Sequence, residues 1–281
     1  MGGAATHGVP NAIKDMRLFS SEKRLFEGRR GGWVVQVFEK EDRRELRFGN
    51  HIVQSSFAPG EPDLLVLEYT RAMLAGMLCV PQPENVLHLG LGAGSLPRFI
   101  HRHWPTVRQR VVEINPDVTE AAFRFFDLPV SRRLPVIEAD ARAFLGESSD
   151  SYELMFVDAF VAEGAAEGFD DPEFLAMQRR RLAQRGWCVH NVWGSDREGL
   201  SRLSARLAAV YPCMYAISVR SHSNVILICG AVTEPPPMAL LASRAAMLSA
   251  NVPFDFGRWP SRMRALGTAQ RSRTEAWIAR A

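Results

Sequence analysis

The stretch that decides the fold is Val86-Leu-His-Leu-Gly-Leu-Gly-Ala-Gly-Ser95. Val86 to Leu89 read as a short apolar strand, and glycines 90, 92 and 94 follow at alternate positions. Ser95 then opens a run of helix formers to about His103. Glycine has no Cβ, so such a loop turns tightly and lets a ligand approach the backbone. The free N–H groups and positive dipole end of the next helix add to that attraction. A tight turn with no ligand is the alternative reading of Gly90, Gly92 and Gly94 taken alone.

The residues downstream narrow the choice. A predicted strand over 110–114 carries Glu113, 19 residues after Gly94. An acid at about that distance, at the end of the second strand, is placed to accept two hydroxyl hydrogen bonds from a ribose. It would also serve as a helix cap before Pro116, but Asn115 suits that role better. The third predicted strand, 135–138, runs into Glu138-Ala-Asp-Ala141, where Asp140 either meets an adenine amino group or caps the next helix. The fourth, 154–157, ends at Asp158, where a carboxylate at a parallel strand's carboxyl end faces the ligand crevice of such sheets. A structural ion pair is the competing role for Asp158.

The alternation continues with a helix over 172–183, a strand over 187–191 and a helix over 197–210. Strands over 214–219 and 224–229 close the sheet as an antiparallel pair. Strand–helix alternation with short apolar strands predicts a parallel sheet covered on both faces. Upstream, strands over 33–38, 45–48 and 51–54 form a small antiparallel meander, and a helix over 64–78 links it to the main sheet. The fold class is therefore α/β: a Rossmann-like sheet with a small N-terminal antiparallel β-domain. The expected divisions are a flexible segment 1–32, the β-domain and linking helix 33–80, a nucleoside-binding domain 81–231 and a helical appendage 232–281.

Bulk properties exclude several classes. The chain has 281 residues and is 47% hydrophobic, enough for a sizeable core. A net charge of +3, from 34 basic and 31 acidic residues, is too balanced for a nucleic-acid binder. No apolar run is long enough to span a membrane, and residues 1–32 lack a secretory signal's apolar core. Cys79, Cys188, Cys213 and Cys229 sit singly in apolar stretches, which suits buried thiols and a cytoplasmic location. Seven histidines show no metal-ligand spacing.

The ordered motifs resemble the spermidine synthase family, the polyamine aminopropyltransferases, as a divergent member. The resemblance covers roughly 33–231. It rests on Gln54, Tyr69, Leu89-Gly-Leu-Gly-Ala-Gly-Ser95, Val112-Glu-Ile-Asn115, Asp140-Ala141 and Tyr152-Glu-Leu-Met-Phe-Val-Asp158. It implies a sheet of the class I S-adenosylmethionine-dependent methyltransferase type, in a protein that transfers an aminopropyl-type group to an amine or polyamine. The donor is S-adenosylmethionine or its decarboxylated form, with no metal. It further implies a homodimer that contacts neither nucleic acid nor membrane. By position, Gln54, Gly90, Gly92, Gly94, Glu113, Ile114, Asp140 and Ala141 would hold the donor. Asp158 would act on the attacking amine, and Tyr69 and Arg71 would line the acceptor side.

The chain departs from the family pattern at three places. The loop carries Ala93 where the family has an Asp that holds the donor's cationic amine. Val161 replaces a second acid three residues after Asp158, and Ala162 a proline. Thr70-Arg71 replaces a His-Glu after the tyrosine. A buried ammonium without a carboxylate is costly, so a non-standard donor or acceptor is expected. Acids at 163, 167, 170 and 171 either attract a polyamine or form a solvated loop, and Arg71 would suit a carboxylate-bearing substrate. A methyltransferase, or a nucleoside-binding homologue without chemistry, are the alternatives.

Overall fold

The computed structural model describes residues 22–50, 52–158, 160–161, 164–165, 168–219 and 224–266. Four antiparallel strands come first: β1 (Lys23–Gly28), β2 (Val35–Lys40), β3 (Arg43–Arg47) and β4 (Val53–Phe57), in that order across the sheet. β1 falls in the segment expected to be flexible, which corrects that expectation for residues 23–28. Its polar composition hid the strand. Leu25 and Phe26 pack against the core beneath the sheet. Behind it, Arg30 donates from its backbone N and its Nε to the buried Asp117, at 2.6 and 2.5 Å. His51, at the start of the third expected strand, lies outside the described residues.

The linking helix is shorter than its pattern predicts. α1 spans Glu68–Leu74 and continues as a 3₁₀ turn over Ala75–Leu78. Residues 64–67 are not helical, and the Arg71 guanidinium donates to the Leu65 and Val66 carbonyls, at 2.7 and 3.0 Å, that a longer helix would use. The main sheet follows as β5 (Asn85–Leu89), α2 (Ser95–His103), β6 (Arg108–Glu113), α3 (Pro116–Phe125), β7 (Val136–Glu138), α4 (Ala141–Glu147) and β8 (Tyr152–Val157). A two-residue pair, β9 (Phe160–Val161) with β10 (Gly164–Ala165), precedes α5 (Pro172–Arg181). Then come β11 (Leu182–Trp193), α6 (Arg197–Val210), β12 (Cys213–Val219), β13 (Asn224–Gly230), α7 (Met238–Asn251) and β14 (Arg264–Ala265).

The strand order is β14-β12-β13-β11-β8-β5-β6-β7. β11, β8, β5, β6 and β7 are parallel, whereas β13 runs antiparallel to both β11 and β12. The chain winds outward from β5 to β6 and β7 on one side, and to β8 and β11 on the other. The order therefore reverses between β5 and β8, where such sheets open a crevice at the strands' carboxyl ends. Helices on that edge start at side-chain caps. Asn115, Asp140, Asp171 and Asp196 each accept a backbone N–H of the first turn. α2 starts instead at Gly94, with φ +69°.

Both sheet faces are covered. α1, α2 and α7 pack with Leu154, Phe156, Val189 and Ile228 on one side. α4, α5 and α6 pack with Met155, Cys188 and Leu227 on the other. A third cluster joins the N-terminal sheet to α3 and to Leu91 and Ala93 of the glycine loop. Residues 232–266 are not an appendage. Leu241, Leu248, Phe256 and Trp259 are buried in the main core, and β14 pairs with β12 at Tyr215 and Ala216. All four cysteines are buried. No helix among the described residues is long and apolar enough to cross a membrane.

Candidate functional site

The glycine loop joins β5 to α2 at the switch point. Gly90, Gly92 and Gly94 have φ of +97°, +53° and +69°, a region that side chains with a Cβ rarely adopt. A Cβ on Gly92 would stand 2.7 Å from the Ser55 hydroxyl, and one on Gly94 2.8 Å from Leu128. Ser55 therefore seats the loop, and its Oγ accepts the Ala93 N–H at 3.1 Å.

Glu113, at the end of β6, turns its carboxylate toward this loop. It accepts the Leu91 N–H at 3.0 Å and the Asn115 N–H at 2.9 Å. Burial pushes its pKa up, opposed by these backbone hydrogen bonds. A carboxylate has about four lone-pair sites, and the Leu91, Asn115 and Ile114 N–H groups do not fill them all, so the same group that braces the loop can also accept from a hydroxyl. Beside it Ile114 is 55% exposed, an apolar side chain left open at the strand end where a planar base would lie. Asp140 accepts the Ala143 N–H at 2.9 Å through Oδ1. The helix-cap role is thus present, and its Oδ2 takes no part in the cap. Ala141 is buried in the first turn of α4.

Asp158 follows β8 directly, and its backbone N–H donates to the Leu89 carbonyl at 2.9 Å. This bond ties it to the strand that feeds the glycine loop. Its carboxylate Oδ1 accepts from Asn191 Nδ2 at 2.8 Å, and Asn191 Oδ1 accepts from Asn224 Nδ2 at 2.9 Å. The Tyr69 hydroxyl donates to the Gln54 carbonyl at 3.0 Å and lies within hydrogen-bonding reach of Ser55 and Asp158. Burial raises the Asp158 pKa to about 6, with Asn191 and Tyr69 working against the rise. It raises the Tyr69 hydroxyl as well, so that group stays protonated at neutral pH. The carboxylate is thus poised close to neutrality, where a proton acceptor works best.

A narrow cleft beside the glycine loop brings Asp158 and Tyr69 together. Ser55, Tyr69, Thr70, His88, Gly90 and Asp158 are among the residues that line it. Gln54 meets Tyr69 through its backbone only. Arg71, expected to face the substrate, is not among the lining residues; its guanidinium serves the Leu65 and Val66 carbonyls, and Thr70 takes its place at the wall. Ala93 points away too, 1% exposed in the apolar cluster with Leu91 and Phe57.

The loop acids expected to attract a cation are otherwise engaged where they are described. Asp171 caps α5 and pairs with Arg142, and Asp170 pairs with Arg202 and Arg206. Glu163, Glu167 and Ala162 lie outside the described residues, as does the side chain of Val161. Sequence reading missed Ser55, His88, Asn191 and Asn224. A polar residue at a strand's carboxyl end beside the Asp158 strand was the available signal for Asn191.

A sheet that reverses between β5 and β8, with a glycine loop and acids at successive strand ends, defines a Rossmann-like transferase of the S-adenosylmethionine-dependent class. No protein-family model matches the chain. It is, however, 30% identical over 240 residues to the polyamine aminopropyltransferase of Neisseria meningitidis serogroup B, covering 84% of this chain and 91% of that one. The chain belongs to the polyamine aminopropyltransferase family. A probable spermidine synthase from Corynebacterium glutamicum shares the fold with a TM-score of 0.67, at 18% identity and over 92% of both chains. Human methyltransferase-like protein 13, solved in complex with SAH, superposes with a TM-score of 0.61 at 27% identity, over 66% of this chain and 91% of that one.

Proposed function

We propose that this protein transfers an aminopropyl-type group from an S-adenosylmethionine-type donor to a small amine or polyamine. The observation that carries the reading is Asp158. It stands at the switch point beside the glycine loop, ringed by Asn191 and Tyr69, and burial has tuned it to about 6. In this reading Glu113 accepts from the donor's ribose hydroxyls, Ile114 packs on the base, Asp140 Oδ2 takes the base's amino group, and Gly90 admits the donor to the backbone.

The reaction is a displacement at the carbon next to the sulfonium. The amine nitrogen forms the new C–N bond, the C–S bond breaks, and the thioether leaves with the electron pair. The nitrogen then sheds a proton, and Asp158 is the acceptor. Holding nitrogen, carbon and sulfur in line supplies much of the rate, and a positioned base adds about 10²–10⁴-fold.

Methyl transfer is the second reading. It is favoured by the solved methyltransferase relative and by a glycine loop without the family's carboxylate. The coproduct separates the two: aminopropyl-type transfer leaves methylthioadenosine, and methyl transfer leaves S-adenosylhomocysteine. Incubation with either donor and a panel of amines, followed by mass spectrometry, is expected to yield methylthioadenosine and an acceptor heavier by the transferred arm. S-adenosylhomocysteine, or its decarboxylated form from the decarboxylated donor, as the coproduct overturns the reading. We further infer a cytoplasmic homodimer, supported by the family resemblance; the solution mass from light scattering tests the dimer.

A further inference from the structure

One cleft residue takes no part in the roles described so far. His88, on β5, is 2% exposed, yet its ring borders the cleft with Tyr69, Gly90 and Asp158. It stacks on Phe156, with ring centroids 5.2 Å apart. A neighbour fixes its protonation. Gln109 Nε2 donates to the Pro97 carbonyl at 3.1 Å, which leaves Gln109 Oε1 facing His88 Nε2 at 2.9 Å. An amide oxygen only accepts, so Nε2 carries the hydrogen. The neutral ring then holds a bare lone pair on Nδ1. Nδ1 has no partner among the described residues. Unlike His101 Nδ1, which is fully buried without a partner, this atom is open to the cleft, where a ligand can donate to it.

The strand order says what passes over it. β5 lies between β6, which ends in Glu113, and β8, which leads into Asp158. A donor with its ribose at Glu113 and its electrophilic carbon facing an amine at Asp158 must lay the transferred arm across the end of β5. His88 and Gly90 both line the cleft at that strand end.

We propose that His88 is a donor-specificity residue whose Nδ1 accepts a hydrogen bond from the terminal amine of the donor's transferred arm. This deepens the proposed function and rests on the nucleoside site it describes. The loop supplies no carboxylate for that amine, because Ala93 is packed into the apolar cluster. Burial holds the His88 pKa down to about 4, so the ring stays an uncharged acceptor at neutral pH and does not repel an ammonium.

The test is calorimetric titration of the full chain with decarboxylated S-adenosylmethionine and with methylthioadenosine, which has the same nucleoside but no amine. His88→Phe keeps the stacked ring and removes the acceptor. It is expected to weaken the decarboxylated donor about tenfold or more, the scale of a hydrogen bond to a charged group, and to leave methylthioadenosine essentially unchanged. Gln109→Leu, outside the cleft lining, removes the group that fixes the tautomer and is expected to produce the same selective loss with a smaller factor. In the wild type, ¹⁵N spectra are expected to show His88 as the Nε2–H tautomer. Equal weakening of both ligands, no weakening of either, or an Nδ1–H tautomer overturns the proposal. Wild-type protein that binds neither nucleoside overturns the site reading itself, and the role of His88 with it.

Discussion

At the residue scale the Asp158 carboxylate, the base of the proposed reaction, is governed by its neighbours. Asp158 ends a chain of side chains, Asn224 to Asn191 to Asp158, that holds its Oδ1, with the Tyr69 hydroxyl within reach of the same carboxylate. Asn191 stabilises the charged form, so removing its donor should raise the Asp158 pKa above about 6. In the proposed reaction the base works deprotonated, so activity is expected to rise with pH through this value. Asn191→Leu should move the acidic limb of the kcat/KM profile upward by about one pH unit while lowering the plateau less; an unmoved limb argues against Asp158 as the base. Ala93 offers a second test at this scale. Restoring the family's acid there places a carboxylate in an apolar cluster beside Leu91 and Phe57. Ala93→Asp should cost about 2–4 kcal/mol in denaturant unfolding and should not tighten donor binding. The departure at Ala93 is thus a matter of packing as well as of charge.

At the element scale the site depends on one turn. The loop between β5 and α2 has three glycines at positive φ and is pinned by Ser55 from the N-terminal sheet and Glu113 from β6. Gly94→Ala would force a side chain into the left-handed region and against Leu128. The expected cost is about 1–3 kcal/mol, together with weakened nucleoside affinity, read by thermal unfolding and calorimetry. The helices were legible because local chemistry writes them. α2 and α6 span the predicted residues, and α3, α4 and α5 start at the predicted ones. β1 and the short α1 were not legible, because their bounds follow from particular side-chain contacts rather than from apolar period. Arg30 reaches Asp117 across 87 positions, and Arg71 occupies carbonyls that a longer helix would need.

At the scale of the whole molecule, burial sets the response to acid. His190 lies in β11, 2% exposed, with Cys188 Sγ 3.2 Å from its Nε2, and burial lowers its pKa to about 3. The unfolded chain takes up a proton at this site below about 6.5, whereas the folded one does not until about 3. Stability from this residue is therefore complete above pH 6.5 and is lost as the pH falls toward 3. Asp158, whose folded pKa is raised, acts in the opposite sense between about 4 and 6. A comparison with His190→Leu isolates the histidine: wild type should lose on the order of 4 kcal/mol more than the variant between pH 6.5 and 3. Parallel acid limbs would refute this. What the sequence by itself determined is the α/β alternation, the glycine loop and the acids at the ends of β6, α4's cap and β8. Those features are written in short-range spacing, where period, cap and turn chemistry act within a few residues. Only the tertiary structure decided that Ser55 and His88 line one cleft with Asp158, with Asn191 and Asn224 in the hydrogen-bond chain to its carboxylate, while Ala93 and Arg71 turn away. The pairing of Asn191 with Asp158 spans 33 residues and exists only because β11 lies beside β8 in one register, and cross-strand register is set by the packing of the whole sheet rather than by any local run.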